Sequence, residues 1–104
     1  MRQPRECENM AELRVEIDAL DRELVALLAR RAGYIDRAAE LKPGEALPAR
    51  IPARVEDVVS KVRAAAQAAG LDPDLAERLW RQLIEWSIAR EEVVLGPDVP
   101  ADKA

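Results

Sequence analysis

Along the first forty residues, Leu13, Ile17, Leu20, Leu24, Leu28, Ile35 and Ala38 recur at intervals of three, four and seven. That spacing marks one face of an α-helix. It predicts a helix over about 9–41, with Asn9 as cap, Glu12 three residues on as its capping-box partner, and Pro43 as the stop. A second helix is predicted over about 53–69, between Pro52 and Gly70. A third, over about 73–95, is opened by Asp72-Pro73 and closed by Gly96-Pro97, leaving 96–104 as a frayed tail. Between these punctuation marks the chain is rich in Ala, Leu, Arg and Glu, and β-branched pairs occur only at Val58–Val59 and Val93–Val94. The pattern predicts an all-α fold of three helices in one domain, 1–104.

The first helix is long for so short a chain. At 1.5 Å per residue, about 32 residues span roughly 48 Å, while a compact chain of about 100 residues is near 34 Å across. Its apolar stripe continues along that whole length, so the overhang needs cover. An intertwined homodimer with paired long helices is the expected solution.

Several charges fall where an apolar stripe should be. On a helical wheel Arg31 and Lys42 lie inside the stripe of helix 1, eleven residues apart on one face, and Arg14 sits at its margin. Helix 3 is apolar on two sides, through Leu75, Leu79, Leu83, Trp86 and Val93 on one and Trp80, Ile84, Ile88 and Leu95 on the other. Ser87 and Glu91 lie in or beside the second stripe, one turn apart. Each charge has an ordinary reading. Arg and Lys lay their stems on apolar surface, Lys42 suits the end of a helix dipole, and Arg31 could pair with Asp21 or Glu91. Trp80 and Trp86 read as core, and Arg22, Arg30, Arg37, Arg63, Arg78 and Arg81 as solvated residues paired with nearby acids. Taken together, cations, a hydroxyl and a carboxyl aimed into apolar seams point to a buried pocket for an anion with more than one carboxylate.

Composition narrows the chemistry. The 104 residues carry 16 Lys plus Arg against 20 Asp plus Glu, for a net charge of −4, so bulk charge does not favour nucleic acid or an anionic membrane. There is no histidine and one cysteine, Cys7, which removes Ser-His-Asp and Cys-His nucleophiles, a disulfide framework and a zinc cluster. No secretory signal or membrane-spanning run is apparent, and a cytoplasmic protein is expected. Any chemistry must use Arg, Lys, carboxylates and hydroxyls, with no metal or cofactor expected.

The ordered set Leu13-Arg14-Val15-Glu16-Ile17-Asp18, Leu20-Asp21, Leu27-Leu28-Ala29-Arg30-Arg31 and Lys42 resembles the first helix of the all-helical (type II) chorismate mutase family. Arg54 and the run Leu83-Ile84-Glu85-Trp86-Ser87-Ile88-Ala89-Arg90-Glu91 are similar to its remaining motifs. The isochorismate-pyruvate lyase branch of the same scaffold is resembled as well, in the Glu6-Cys7 lead-in and the Pro-rich segment before Arg54. The resemblance implies an intertwined dimer with a small dicarboxylate substrate. Arg31 and Lys42 would come from one chain and Arg14 from its partner, with Arg54, Ser87 and Glu91 at the other pocket positions. It also implies catalytic roles for Arg31, Lys42 and Glu91. Lys42 and residue 91 would stabilise negative charge growing on the ether oxygen during a pericyclic rearrangement.

Two departures from that family pattern matter. Members commonly carry Gln where this chain has Glu91, and an ionised carboxylate would repel the developing charge, so Glu91 is expected to act protonated. The acidic residues that hold the C4 hydroxyl in many mutases are replaced by Ile51 and Val55. Chorismate mutase is the leading expectation. The alternatives are isochorismate-pyruvate lyase, 4-amino-4-deoxychorismate mutase, and a non-catalytic helical dimerisation or regulatory module.

Overall fold

A computed structural model describes residues 1–96, and all regular structure among them is helical. Three α-helices, α1 (Met10–Leu41), α2 (Pro52–Ala69) and α3 (Pro73–Leu95), are joined to two 3₁₀ turns, Pro4–Glu6 and Lys42–Glu45. The all-α expectation with a long first helix is met. The expected frayed tail lies, beyond Gly96, outside the described residues.

The chain divides into two units, Met1–Tyr34 and Ile35 onward, with the division falling inside α1. In the first unit Asn9 caps α1 as expected, its Oδ1 accepting from the Glu12 amide at 2.9 Å. The Glu12 carboxylate, however, reaches past the cap and accepts from the Glu8 amide at 2.9 Å. Arg2 folds back on the helix, its amide donating to Glu16 Oε2 at 3.0 Å. No residue of this unit is buried. Its stripe is open to solvent, with Leu20 46 % and Leu24 55 % exposed. A single helix has nothing of its own to bury such a stripe against.

The second unit has a core. Ala49, Val59, Ile84 and Ile88 are buried together, with Val55, Val58 and Leu95 packed on them. Small residues at Ala39, Ala66 and Ala76 are buried as well. Helices α2 and α3 form an antiparallel hairpin. Arg81 bonds both Glu77 on its own helix and Glu56 on α2, while Arg63 on α2 bonds Asp74 and Glu77 on α3. The turn is written in the sequence. Gly70 takes the left-handed conformation (φ 78°) that ends α2, Leu71 donates back to the Ala66 carbonyl at 2.8 Å, and Asp72 Oδ1 caps α3 through the Asp74 amide at 2.9 Å.

Helix α3 buries one of its two apolar sides within the chain. Ile84 and Ile88 are in the core, whereas Leu79 and Trp86 on the other side are exposed. Trp86 is therefore not a core residue of this chain. It is 50 % exposed, and the Arg90 guanidinium lies over its ring, 5.2 Å from the centroid. Arg90 is fixed there by a fork onto Asp36 at the end of α1.

Candidate active site

The site grows out of the place where α1 stops. Pro43 cannot continue the i to i−4 pattern, so the chain tightens into the 3₁₀ turn and Lys42 becomes its first residue rather than the last of α1. Ala46 closes the turn in the left-handed region (φ 56°), and the Leu47 amide donates to the Lys42 carbonyl at 3.0 Å. A residue other than glycine rarely adopts that conformation. The backbone thereby reverses and returns Ala49 towards Lys42.

Lys42 turns its ammonium inward. Nζ donates to the Ala49 carbonyl oxygen at 2.8 Å and lies 2.7 Å from Glu91 Oε1. The lysine side chain is 16 % exposed and that of the glutamate 5 %. Two opposite charges removed from water are tolerable only as a pair. The pair is incomplete in one respect: Glu91 Oε1 is fully shielded from solvent and receives no well-directed hydrogen bond, so the Lys42 contact supplies charge without alignment. Ser87, one turn earlier on α3, is also buried, and its Oγ donates to the Leu83 carbonyl at 2.7 Å. Lys42, Ser87 and Glu91, taken from different parts of the sequence, are thus placed in one unit. Ile51 and Val55 at the start of α2 are half-buried, Val55 against the core.

The other candidates are placed differently. Arg54 is exposed on the first turn of α2, bonded to Asp57 Oδ2 at 2.6 Å. Arg14 is exposed and Arg31 half-buried on the part of α1 that belongs to the first unit. Lys42 paired with a buried carboxylate is also what a purely structural ion pair would look like.

Sequence reasoning missed the Ala49 carbonyl, because a main-chain acceptor has no residue signature. It also passed over Arg50, whose guanidinium forks onto Glu85 of α3. The isolated charge at Arg50 among apolar and proline neighbours was the available signal.

Similarity to known proteins extends over most of the chain. The family described as chorismate mutase type II matches residues 13–92. Isochorismate pyruvate lyase of Pseudomonas aeruginosa is 36 % identical over 92 residues, covering 88 % of this chain and 89 % of the relative. The T-protein of Haemophilus influenzae is 36 % identical over 84 residues, covering 81 % of this chain but only 22 % of that protein. Chorismate mutase of Methanocaldococcus jannaschii is 26 % identical over 88 residues, covering 85 % and 89 %.

Proposed function

Because the chain belongs to the chorismate mutase type II family, we propose that it is a chorismate mutase, rearranging chorismate to prephenate in a homodimer. The observation that carries this reading is the buried Lys42–Glu91 pair. The reaction is an isomerisation in which no atom enters or leaves. A C–O bond breaks as a C–C bond forms within one molecule, and negative charge grows on the departing ether oxygen. Such a step needs a held conformer and a cation at that oxygen, not a base, a nucleophile or a metal.

Lys42 is the cation in this reading. Glu91 lies against it, so a substrate with two carboxylates must compete for the ammonium. Uptake of a solvent proton by Glu91, which this reading requires, resolves the conflict. It releases Lys42 towards the ether oxygen and turns the glutamate from a repelling anion into a second donor. Arg31 would clamp one substrate carboxylate and Arg14 of a second copy the other, in the bidentate geometry that favours arginine. Arg54 and Ser87 complete the substrate-binding set. The open stripe of the first unit, with Leu20 and Leu24 exposed, supports a second copy as its cover.

A second reading, isochorismate-pyruvate lyase, is favoured by two observations. Ile51 and Val55 offer no side-chain partner to a C4 hydroxyl, and the Pseudomonas aeruginosa relative that bears the lyase name is 36 % identical. Both reactions would use the same cations on the same class of enol-ether dicarboxylate.

The test is product identification. The protein is incubated separately with chorismate and with isochorismate, and prephenate, salicylate and pyruvate are measured. Prephenate from chorismate as the faster reaction is expected. Salicylate with pyruvate as the faster reaction moves the chain to the lyase branch, and turnover of neither leaves a non-catalytic helical module.

A further inference from the structure

Both contacts of the Lys42 ammonium lead to α3. One is direct, through Glu91. The other runs through the Ala49 carbonyl and reaches α3 by way of the next residue. Arg50 donates from Nη1 to Glu85 Oε1 at 2.9 Å and from Nη2 to Oε2 at 2.5 Å, a bidentate fork that fixes direction as well as distance. In the stretch 46–53 between the 3₁₀ turn and α2, Arg50 is the sole charged residue.

The peptide group joining Ala49 to Arg50 is the one whose oxygen accepts from Lys42. That group is planar, so with the Cα atoms on either side of it held, the oxygen can move only by turning the whole plane about the line that joins them. Ala49 is held by burial against Val59, Ile84 and Ile88, and Arg50 by the fork. Glu85 precedes Glu91 by six residues on the same helix, about 9 Å of helical rise. One rigid element thus supplies the reference for both sides of the ammonium. The Arg50 fork also holds the Glu85 carboxyl below the usual carboxylate range.

We propose that Arg50 and Glu85 are a positioning pair, which by clamping the Ala49–Arg50 peptide to α3 sets the place of the Lys42 ammonium relative to Glu91. The proposal rests on the reading of Lys42 as the group that meets the reacting oxygen. Both side chains are about half exposed, 42 % and 58 %, so the pair adds little to global stability. Its effect belongs to geometry.

The experiment compares the full chain with Arg50→Gln, Glu85→Gln and the reversed pair Arg50→Glu/Glu85→Arg. It measures kcat and KM on the better of the two substrates, the unfolding midpoint, and the ¹⁵N resonance of the Lys42 ammonium without substrate. Each single variant is expected to lower kcat by about tenfold or more, since misplacement of a reacting group is costly. KM should stay within about twofold, because the charge on the ether oxygen exists only in the transition state. The midpoint should move by less than about 5 °C. The Lys42 ammonium signal should broaden through faster exchange with water, and the reversed pair should recover most of kcat. A kcat and an ammonium signal indistinguishable from the parent in both single variants would overturn the proposal. So would a loss of kcat that follows the midpoint downward and is not recovered by the reversed pair. Failure of the functional reading looks different: the parent turns over neither substrate, while the Lys42 signal still responds to Arg50→Gln and supports the clamp.

Discussion

The two units of the chain carry the same kind of stripe and treat it oppositely. In Met1–Tyr34 the leucines at 20, 24, 27 and 28 are exposed and no residue is buried, whereas from Ile35 onward Ala49, Val59, Ile84 and Ile88 close a core and draw Glu91 and Ser87 in with them. The difference lies in what each stripe has to meet. A helix alone has no partner surface, while α2 and α3 are joined by a tight capped turn and supply each other's. The lesson is a division of labour. The second unit holds its own shape and the Lys42–Glu91 pair, and the first carries Arg14 and Arg31 on a helix that needs another surface before it can hold anything in place.

The most damaging way to break that contrast is at the open stripe. Leu20→Asp/Leu24→Asp is expected to abolish the proposed homodimer, read by sedimentation velocity against the unsubstituted chain, and with it essentially all turnover, while the α2–α3 hairpin keeps its helical circular dichroism. A dimer that survives both substitutions would put the second copy on another face.

The next effect is confined to the second unit. Lys42→Met is expected to cost about 10²-fold or more in kcat/KM, the loss usual for a donor at a developing oxyanion. It should also destabilise by about 3 kcal/mol, because it strands a buried carboxylate. Lys42→Met/Glu91→Leu should stay inactive yet regain most of that stability in urea titration. A double variant as unstable as the single one would mean that the pair is not the buried charge contact described here.

The smallest effect separates the units by pH. Asp36, Glu56, Asp57, Glu77 and Glu85 all have carboxyls held below their ordinary values, chiefly by hydrogen bonds from Arg90, Arg81, Lys61, Arg81 and Arg50 respectively. A group whose folded value is lowered contributes stability above its unfolded value and loses it as pH falls through the folded one. The unfolding midpoint should therefore be flat from neutral pH down to about 5 and decline below about 4. These groups are solvent-accessible, so the decline should be shallow and blunted by salt. Every one of them lies beyond Ile35, so their contribution to the decline belongs to the second unit.

Most of the fold was legible because its signals are local. Helical periodicity, Asn9, Pro43, Pro52, Gly70 and Asp72-Pro73 each act within a turn of where they stand, and the structure puts helix ends at or beside them. Lys42, Ser87 and Glu91 were legible as polar residues in apolar stripes. What stayed hidden depends on contacts distant in sequence. Trp86 reads as core until α3 is seen to bury only its other side. The Ala49 carbonyl is a main-chain group brought to Lys42 by the left-handed turn at Ala46, and the Arg50 fork joins residues 35 positions apart. Arg54 fits the family pattern by position, yet its side chain bonds Asp57.

Reaction charge is proposed to develop at the buried Lys42–Glu91 pair, and the pH profile of kcat/KM tests this most directly. If Glu91 must carry a proton to let Lys42 reach the ether oxygen, activity on chorismate falls as pH rises and Glu91→Gln, which needs no proton to donate, gives a flat profile. A profile already flat in the unsubstituted protein, or one whose slope survives Glu91→Gln, would contradict it.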